Sequence, residues 1–238
     1  METKENTVAL IEMDNIKKNY HLGASVVAAL KGVDLRINSG EFAAVWGPSG
    51  SGKTTLLNLI GAIDEPSSGR LCVGGEEILQ LSDEKRTELR NRAIGFVFQG
   101  FNLVPVLSAL ENVMLPLQIK GVSARTARAK ATERLTAVDL SDFVNHRPDK
   151  MSGGQQQRVA IARALVCDPS IVIADEPTAN LDSVTAKNII GLMRTLNRTE
   201  ATTFIFSTHD QRLLNQVARL VRLEDGRIIA DEAGPNSN

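Results

Sequence analysis

The groups best suited to chemistry gather first in Gly47-Pro48-Ser49-Gly50-Ser51-Gly52-Lys53-Thr54-Thr55. The stretch fills every fixed position of the phosphate-binding pattern G-x-x-x-x-G-K-S/T. Its glycines let the backbone wrap an anion with N–H groups turned inward, and a helix starting there adds positive potential. Lys53 would reach the terminal phosphates of a bound nucleoside triphosphate, and the Thr54 hydroxyl would ligate Mg²⁺. The pattern works only between a strand's end and a helix's start. Phe42-Ala43-Ala44-Val45-Trp46 supplies the strand, and Leu56, Leu57, Leu59 and Ile60 have the spacing of a packed helix. With all three parts in register, a glycine-rich turn with a chance lysine is the poorer reading. This is a nucleoside triphosphate site.

The remaining elements must position that loop. A chain of 238 residues has room for a large α/β core and a small second lobe. Hydrophobic residues make up 42% and charged residues 23%, ordinary for a soluble globular protein. The net charge of −1 gives no global argument for nucleic acid as a partner. Cys72 and Cys167 form no metal-spaced pair and read as buried thiols of a reducing cytosol. Met1 to Thr7 is polar, without a signal-peptide core, and no run approaches the roughly 20 apolar residues of a membrane span.

Val8–Ile11, Val26–Leu30 and Val33–Ile37 read as short strands of an antiparallel edge layer. Tyr20 falls between the first two; it is either a ring for stacking on a purine base or a half-buried edge aromatic. Arg70–Val73 is a further strand, Ser82–Arg92 a solvated helix, and Ile94–Phe98 a buried strand ending at Gln99. Phe101–Leu117 is apolar but broken by Pro105 and Pro116, and Val122–Leu140 is a basic amphipathic helix. Its Arg125, Arg128, Lys130 and Arg134 read as a solvated face rather than a nucleic-acid patch. Residues 100–151 therefore look like an all-helical insertion between core segments 8–99 and 152–230 of one domain. The core continues with a helix over Gln155–Val166, strand Ile171–Ala174, a helix over about Ser183–Arg198, and strand Thr203–Phe206. A last helix, about Asp210–Ala218, precedes a hairpin turning at Glu224-Asp225-Gly226, and the tail frays from Asp231. Strands alternating with helices imply a mostly parallel sheet covered on both faces.

A second segment, Met151-Ser152-Gly153-Gly154-Gln155-Gln156-Gln157-Arg158, reads locally as a capping box of Ser152 and Gln155. Two glycines in a first helical turn weaken a helix more than a cap requires. They make sense if an anion comes close to the backbone at that N-terminus. The chain would then own two anion cradles but one loop lysine, which two copies arranged head to tail would reconcile.

These residues resemble the LSGGQ signature of ABC-type ATPases, with Met151 in place of leucine, and the resemblance runs from Tyr20 to Gly226 in the family's order. It implies the fold of that family: a P-loop NTPase core, an antiparallel β layer and an inserted α-helical subdomain. Ile171–Glu176 looks like the Walker B strand, where Asp175 would hold Mg²⁺ through water and Glu176 would act as general base. Two helix-capping acids is the weaker alternative, since both follow a buried strand where sites collect in α/β sheets. Gln99 is similar to the Q-loop residue that contacts Mg²⁺ and water, and His209 to the switch histidine that senses the γ-phosphate. Ala179-Asn180-Leu181-Asp182 resembles the D-loop, with Asn180 replacing the commoner small residue. Tyr20 matches the A-loop, which favours the stacking role. The resemblance implies ATP and Mg²⁺ as cofactors, ATP hydrolysis, and a homodimer closing over two nucleotides with Ser152, Gly153, Gly154, Gln155 and Asp182 completing each site from the other copy.

Such a motor without a membrane span implies an integral membrane permease, placing the chain on the cytoplasmic face of the inner membrane. Phe101, Leu103, Val104, Leu107 and Leu110 lie where the family docks a permease's coupling helix; the expectation is that part of this segment stays exposed. Gly47–Gly69 and Ala174–Ser183 resemble most the branch serving lipoprotein release and macrolide export. The cell-division ATPase that controls wall hydrolases is similar too. Soluble members acting on DNA or ribosomes fit less well, since neither a coiled-coil insertion nor a second cassette is present, and no nucleic acid is expected as partner.

Overall fold

The computed structural model describes residues 9–23 and 25–235. Two sheets share the molecule. Strands β1 (Ile11–Leu22) and β2 (Ser25–Ile37) form a long antiparallel pair, with bulges breaking the register around Met13–Ile16 and Lys18–Asn19. The loop strand is β3 (Phe42–Trp46), and the helix that follows is α1 (Lys53–Ile60). β4 (Ser68–Val73) and β5 (Glu76–Glu77) complete the antiparallel sheet in the order β2-β1-β4-β5. After α2 (Asp83–Ala93) comes β6 (Ile94–Val97), then helices α3 (Ala109–Ile119), α4 (Ala124–Ala137) and α5 (Gly153–Leu165). The chain closes with β7 (Ile171–Ala174), α6 (Ser183–Glu200), β8 (Thr203–Thr208), β9 (Arg219–Glu224) and β10 (Arg227–Ala233).

The second sheet has the order β10-β9-β3-β8-β7-β6 and is parallel from β9 to β6, with β10 antiparallel at the edge. Its strands are apolar at consecutive positions because both faces are covered. Alternation sorts the side chains. Phe42, Ala44, Val172, Ala174, Phe204 and Phe206 join the cluster under helices α3 to α6. Ala43, Val45, Ile171, Ile173 and Ile205 join the cluster under α1 and the antiparallel sheet. At Gly95 a Cβ would stand 2.4 Å from the Ala164 carbonyl oxygen, so β6 and α5 pack backbone against backbone.

Several expectations need correction. The strand expected from Val8 lies partly outside the described residues; from Ile11 onward it is one long strand containing Tyr20, not a short strand preceding it. The two segments at Val26–Leu30 and Val33–Ile37 are likewise one strand, bent where Gly32 takes φ +85°. Pro116 does not break the apolar segment: α3 runs through it, and Ser108 starts that helix with a full capping box on Glu111. The final helix is a 3₁₀ turn over Gln211–Gln216, capped by Asp210. The tail holds to Ala233, because the Asp231 carboxylate accepts from Nε and Nη2 of Arg219 at 2.8 and 2.7 Å.

Candidate nucleotide site

In open α/β sheets, ligands bind beyond the carboxyl ends of the parallel strands. Four such ends meet here. β3 leads into Gly47–Thr55, β7 ends at Asp175 and Glu176, β8 at His209, and β6 at Phe98 and Gln99. Since β8 lies between β3 and β7, the lysine loop and the acidic pair face each other across a single strand.

The loop is braced from behind and open in front. A Cβ on Gly47 would fall 2.0 Å from the Leu223 carbonyl oxygen, and one on Gly52, at φ +105°, 2.7 Å from that of Ala29. Gly226 N–H donates to the Ser51 carbonyl, tying the loop to the β9–β10 turn. At Gly50, φ +79°, a Cβ would meet nothing within 4 Å, while Pro48, Ser49 and Gly50 are exposed. Lys53 is buried and donates to the carbonyls of Gly47 and Pro48, both at 2.9 Å, which holds its ammonium inside the loop's curve. The Ser51 hydroxyl is buried without a hydrogen-bond partner. An ammonium held inside the curve and open backbone at Pro48 to Gly50 suit a polyphosphate.

The acidic side is tied to the loop. Thr54 Oγ1 donates to Asp175 Oδ2 at 3.0 Å, and Ser207 Oγ donates to Asp175 Oδ1 at 2.6 Å while accepting from the Glu176 N–H at 2.8 Å. Glu176 sits at φ +45°, a left-handed conformation uncommon for a side-chain-bearing residue. Its Oε1 lies 3.9 Å from Lys53 Nζ and 3.1 Å from His209 Nδ1. A cleft of about 270 Å³ opens beside Glu176 and His209. A hydroxyl and a single carboxylate are hard oxygen donors of the kind Mg²⁺ shares with substrate phosphates. Among the described residues no cluster of three or more His, Cys, Asp or Glu forms a self-sufficient metal cage. The donor set therefore fits a cation that arrives with its nucleotide.

Tyr20 lies near the end of β1, half-buried, its hydroxyl donating to Asp64 Oδ2 at 2.9 Å. Burial pushes its phenol above the ordinary value; a hydrogen bond with Thr55 opposes that shift and Asp64 adds to it. Residues 30–179, more than half the chain, match the family described as ABC transporter. The chain belongs to the ABC transporter family. It is an ATP-hydrolysing cassette of that family, of the LolD/MacB type. The lipoprotein-releasing system ATP-binding protein LolD 1 of Rhodopseudomonas palustris is 48% identical over 221 residues, 92% of this chain and 98% of its own. The macrolide export ATP-binding/permease protein MacB of Syntrophobacter fumaroxidans is 47% identical over 227 residues. That match covers 94% of this chain but 32% of MacB, so the cassette spans about a third of that relative. Among solved structures, a dimeric post-hydrolysis state of the ATP-binding cassette MJ0796 with ADP and Pi has a TM-score of 0.85 at 44% identity, covering 94% of this chain and 98% of that one.

The glycine-bearing N-terminus of α5 stands apart from the loop. Ser152 caps α5 in a full capping box with Gln155. Gly153 and Gly154 face Leu181, Phe101, Asn180 and Thr185, none of them residues of the lysine loop. A Cβ on Gly154 would meet the Thr185 methyl at 2.6 Å, so close approach of α6 is itself a reason for that glycine. Asp182 spends its carboxylate on capping α6, accepting from Val184 and Thr185 N–H at 3.0 Å each; bonds from Thr185, first, and Val184 lower its pKa. Asn180 Nδ2 donates to the Gln99 carbonyl at 3.0 Å, joining two of the singled-out segments.

Two residues of consequence escape a motif reading. Ser207 signals itself only as a hydroxyl inside an apolar strand. Arg163 lies in the otherwise apolar second half of α5, residues 159–165, and donates to the carbonyls of Phe101 and Asn102 at 2.8 and 2.5 Å, pinning the segment after Gln99; burial lowers its pKa. In the apolar run after Gln99, Leu110 is buried, Phe101, Leu103, Val104 and Leu107 are half-buried, and Val106 is exposed. Beside it Phe96, Phe98, Leu115, Pro116 and Ile119, with Arg90 and Lys120, line a cavity of about 410 Å³.

Proposed function

We propose that two copies of this cassette close head to tail over two ATP–Mg²⁺, hydrolyse, and reopen, driving an integral membrane permease of the lipoprotein-release or macrolide-export kind. The observation that carries the reading is the pair of glycine-bearing helix N-termini built on separate neighbours, only one of which owns a lysine. In the assembled site the Ser152 hydroxyl proton and the first-turn N–H groups of α5 would be donors for the γ-phosphate bound by the other copy. The dimeric ADP- and Pi-bound MJ0796 cassette supports this arrangement.

Within one copy, Lys53 and the loop N–H groups would hold the terminal phosphates, and the Tyr20 ring would stack on the base. Thr54 and Asp175 would hold Mg²⁺, with Gln99 reaching it from the end of β6; the ion supplies neutralisation of phosphate charge. Glu176 would orient a water and accept its proton, its backbone fixed by Ser207 and its carboxylate by His209. With Lys53 Nζ 3.9 Å from its carboxylate, Glu176 would stand beside the phosphates that the lysine holds. Residues 100–151 would form a helical lobe whose junction with β6 offers the groove at Phe98 and Ile119 to a permease helix. Among the described residues no helix is long and apolar enough to cross a membrane, so the reading puts the cassette at the cytoplasmic face beside its permease.

The test is size in solution with and without ATP–Mg²⁺, for the native chain and Glu176→Gln. The expected result is a Glu176→Gln dimer with ATP only. A stable nucleotide-free dimer through the same face, or a variant that stays monomeric and still hydrolyses, would overturn the reading.

A further inference from the structure

The adenine-facing edge of the site contains an arrangement that phosphate chemistry does not require. Lys18 Nζ, nearly buried, donates to Asp64 Oδ1 at 2.6 Å and to the Glu65 carbonyl at 2.8 Å. The same ammonium stands 4.9 Å from the centre of the Tyr20 ring. Asp64 Oδ2 accepts from the Tyr20 hydroxyl at 2.9 Å, and its Oδ1 accepts from the Glu65 N–H at 2.7 Å. Asp64 itself is fixed in the turn after α1, where Ile63 and Asp64 N–H both reach the Asn58 carbonyl and Ala62 takes φ +52°.

One carboxylate thus joins two segments that are far apart in sequence. It meets β1 through Lys18 and Tyr20, and it belongs to the turn that closes the very helix whose N-terminus is the phosphate loop. An aromatic ring on a half-exposed strand has a free χ1 and χ2; stacking requires one orientation, and each rotamer frozen in advance is entropy that binding need not remove. The Oη–Asp64 bond fixes the ring's tilt, and the Lys18 ammonium covers one face, leaving the other for a ligand.

We infer that Asp64 is a positioning residue for nucleotide recognition: with Lys18 it locks the Tyr20 ring at a set distance from the phosphate loop, so that base and triphosphate are gripped together. The inference rests on the reading of Tyr20 as the base-stacking ring. Asp64 touches neither base nor phosphate; it acts through Tyr20. Its loss should weaken what the base contributes and leave the phosphate grip unchanged.

The experiment titrates the full-length chain calorimetrically with ATP and, separately, with inorganic triphosphate, Mg²⁺ omitted so that nothing turns over. Asp64→Ala and Tyr20→Phe, which removes only the hydroxyl, should each weaken ATP by about three- to tenfold, the range of a single lost hydrogen bond. Inorganic triphosphate affinity should stay at the native value in both. The double variant should be no weaker than either single one, and Asp64→Asn, which keeps an acceptor for the phenol, should recover most of the ATP affinity. Equal weakening of ATP and triphosphate by Asp64→Ala would make Asp64 a brace of the phosphate loop and overturn the inference. Tyr20→Ala separates the two levels. If it abolishes the preference for ATP while Asp64→Ala and Tyr20→Phe leave it intact, the positioning role fails and stacking stands. If Tyr20→Ala leaves the preference intact, the stacking reading fails and takes the inference with it.

Discussion

Ser207→Ala tests whether the acidic end of β7 is held in place by its neighbour strand. The Ser207 hydroxyl is fully buried, donates to Asp175 at 2.6 Å and accepts from the Glu176 N–H at 2.8 Å. Alanine leaves both groups short of a partner, although Asp175 keeps its bond from Thr54. Losing one bond to a charged group and orphaning one N–H amounts to about 2 kcal/mol of stability. For a chain of this length that is a fall in Tm of about 4–8 °C. The functional effect follows from Glu176, whose left-handed backbone at φ +45° is a strained state that the Ser207 bond stabilises. Released, the residue relaxes and its carboxylate drifts from the position a water must share. Removing a general base outright lowers turnover by about 10²–10⁴-fold, so a displaced base should lower kcat by about tenfold. KM for ATP should hold, because the loop and Tyr20 are untouched and the Thr54 bond keeps Asp175 in place. Steady-state ATPase assays beside thermal melts measure both, and the decisive comparison adds Ser207→Ala to Glu176→Gln. If Ser207 acts through Glu176, the second change leaves the residual rate where it was. A native kcat at lowered Tm, or a further fall in the Glu176→Gln background, would refute the reasoning.

Gly47→Ala should abolish ATP binding or folding, since its Cβ would stand 2.0 Å from the backbone oxygen of Leu223 and backbone cannot rotate aside; equilibrium ATP binding and circular dichroism check it, and near-native affinity would contradict the bracing of the loop. Acid stability should report on the α4–α6 surface. Against burial, which would raise it, hydrogen bonds from Lys130 and Arg134 hold the Asp168 carboxyl below its usual value. A depressed carboxylate stabilises the fold above the unfolded value of about 3.9 and loses that contribution as pH falls through the lower folded value. Asp168→Asn should therefore flatten the acid limb of Tm against pH below about 4 and lower Tm at neutral pH; parallel curves for both proteins would refute it.

The parts of this molecule that could be read in the sequence are those where chemistry restricts residue type at fixed spacing. Glycine, lysine and threonine between an apolar strand and an apolar helix leave little else to be, and a buried strand ending in Asp175-Glu176 belongs at the rim of a parallel sheet. What escaped is set by contacts between distant segments. The β1–β2 pair looked like three short strands because its bulges shift the alternation that marks a strand, and only the pairing with β2, resumed from Ile16 to Leu22, carries β1 on to its end. Residues 211–216 have the composition of an α-helix, yet the chain must be extended again by Arg219 to pair with β3, and the six residues between close as a 3₁₀ turn. The apolar run after Gln99 looked like a docking surface because hydrophobicity does not say which side is covered. Asn112, fully buried, accepts from the Val104 N–H and donates to the carbonyls of Val104, Leu107 and Ser108, and Arg163 holds Phe101 and Asn102. Those bonds leave Phe101, Leu103, Val104 and Leu107 half-buried and Val106 exposed between the flanking exposed positions Phe98 and Ile119. The same logic applies within the site: Lys53, Asp175 and Glu176 are visible as types, while Ser207 and Asp64, which decide where the reactive groups point, are an ordinary serine and an ordinary aspartate until the strands that bring them to Glu176 and Tyr20 are in place.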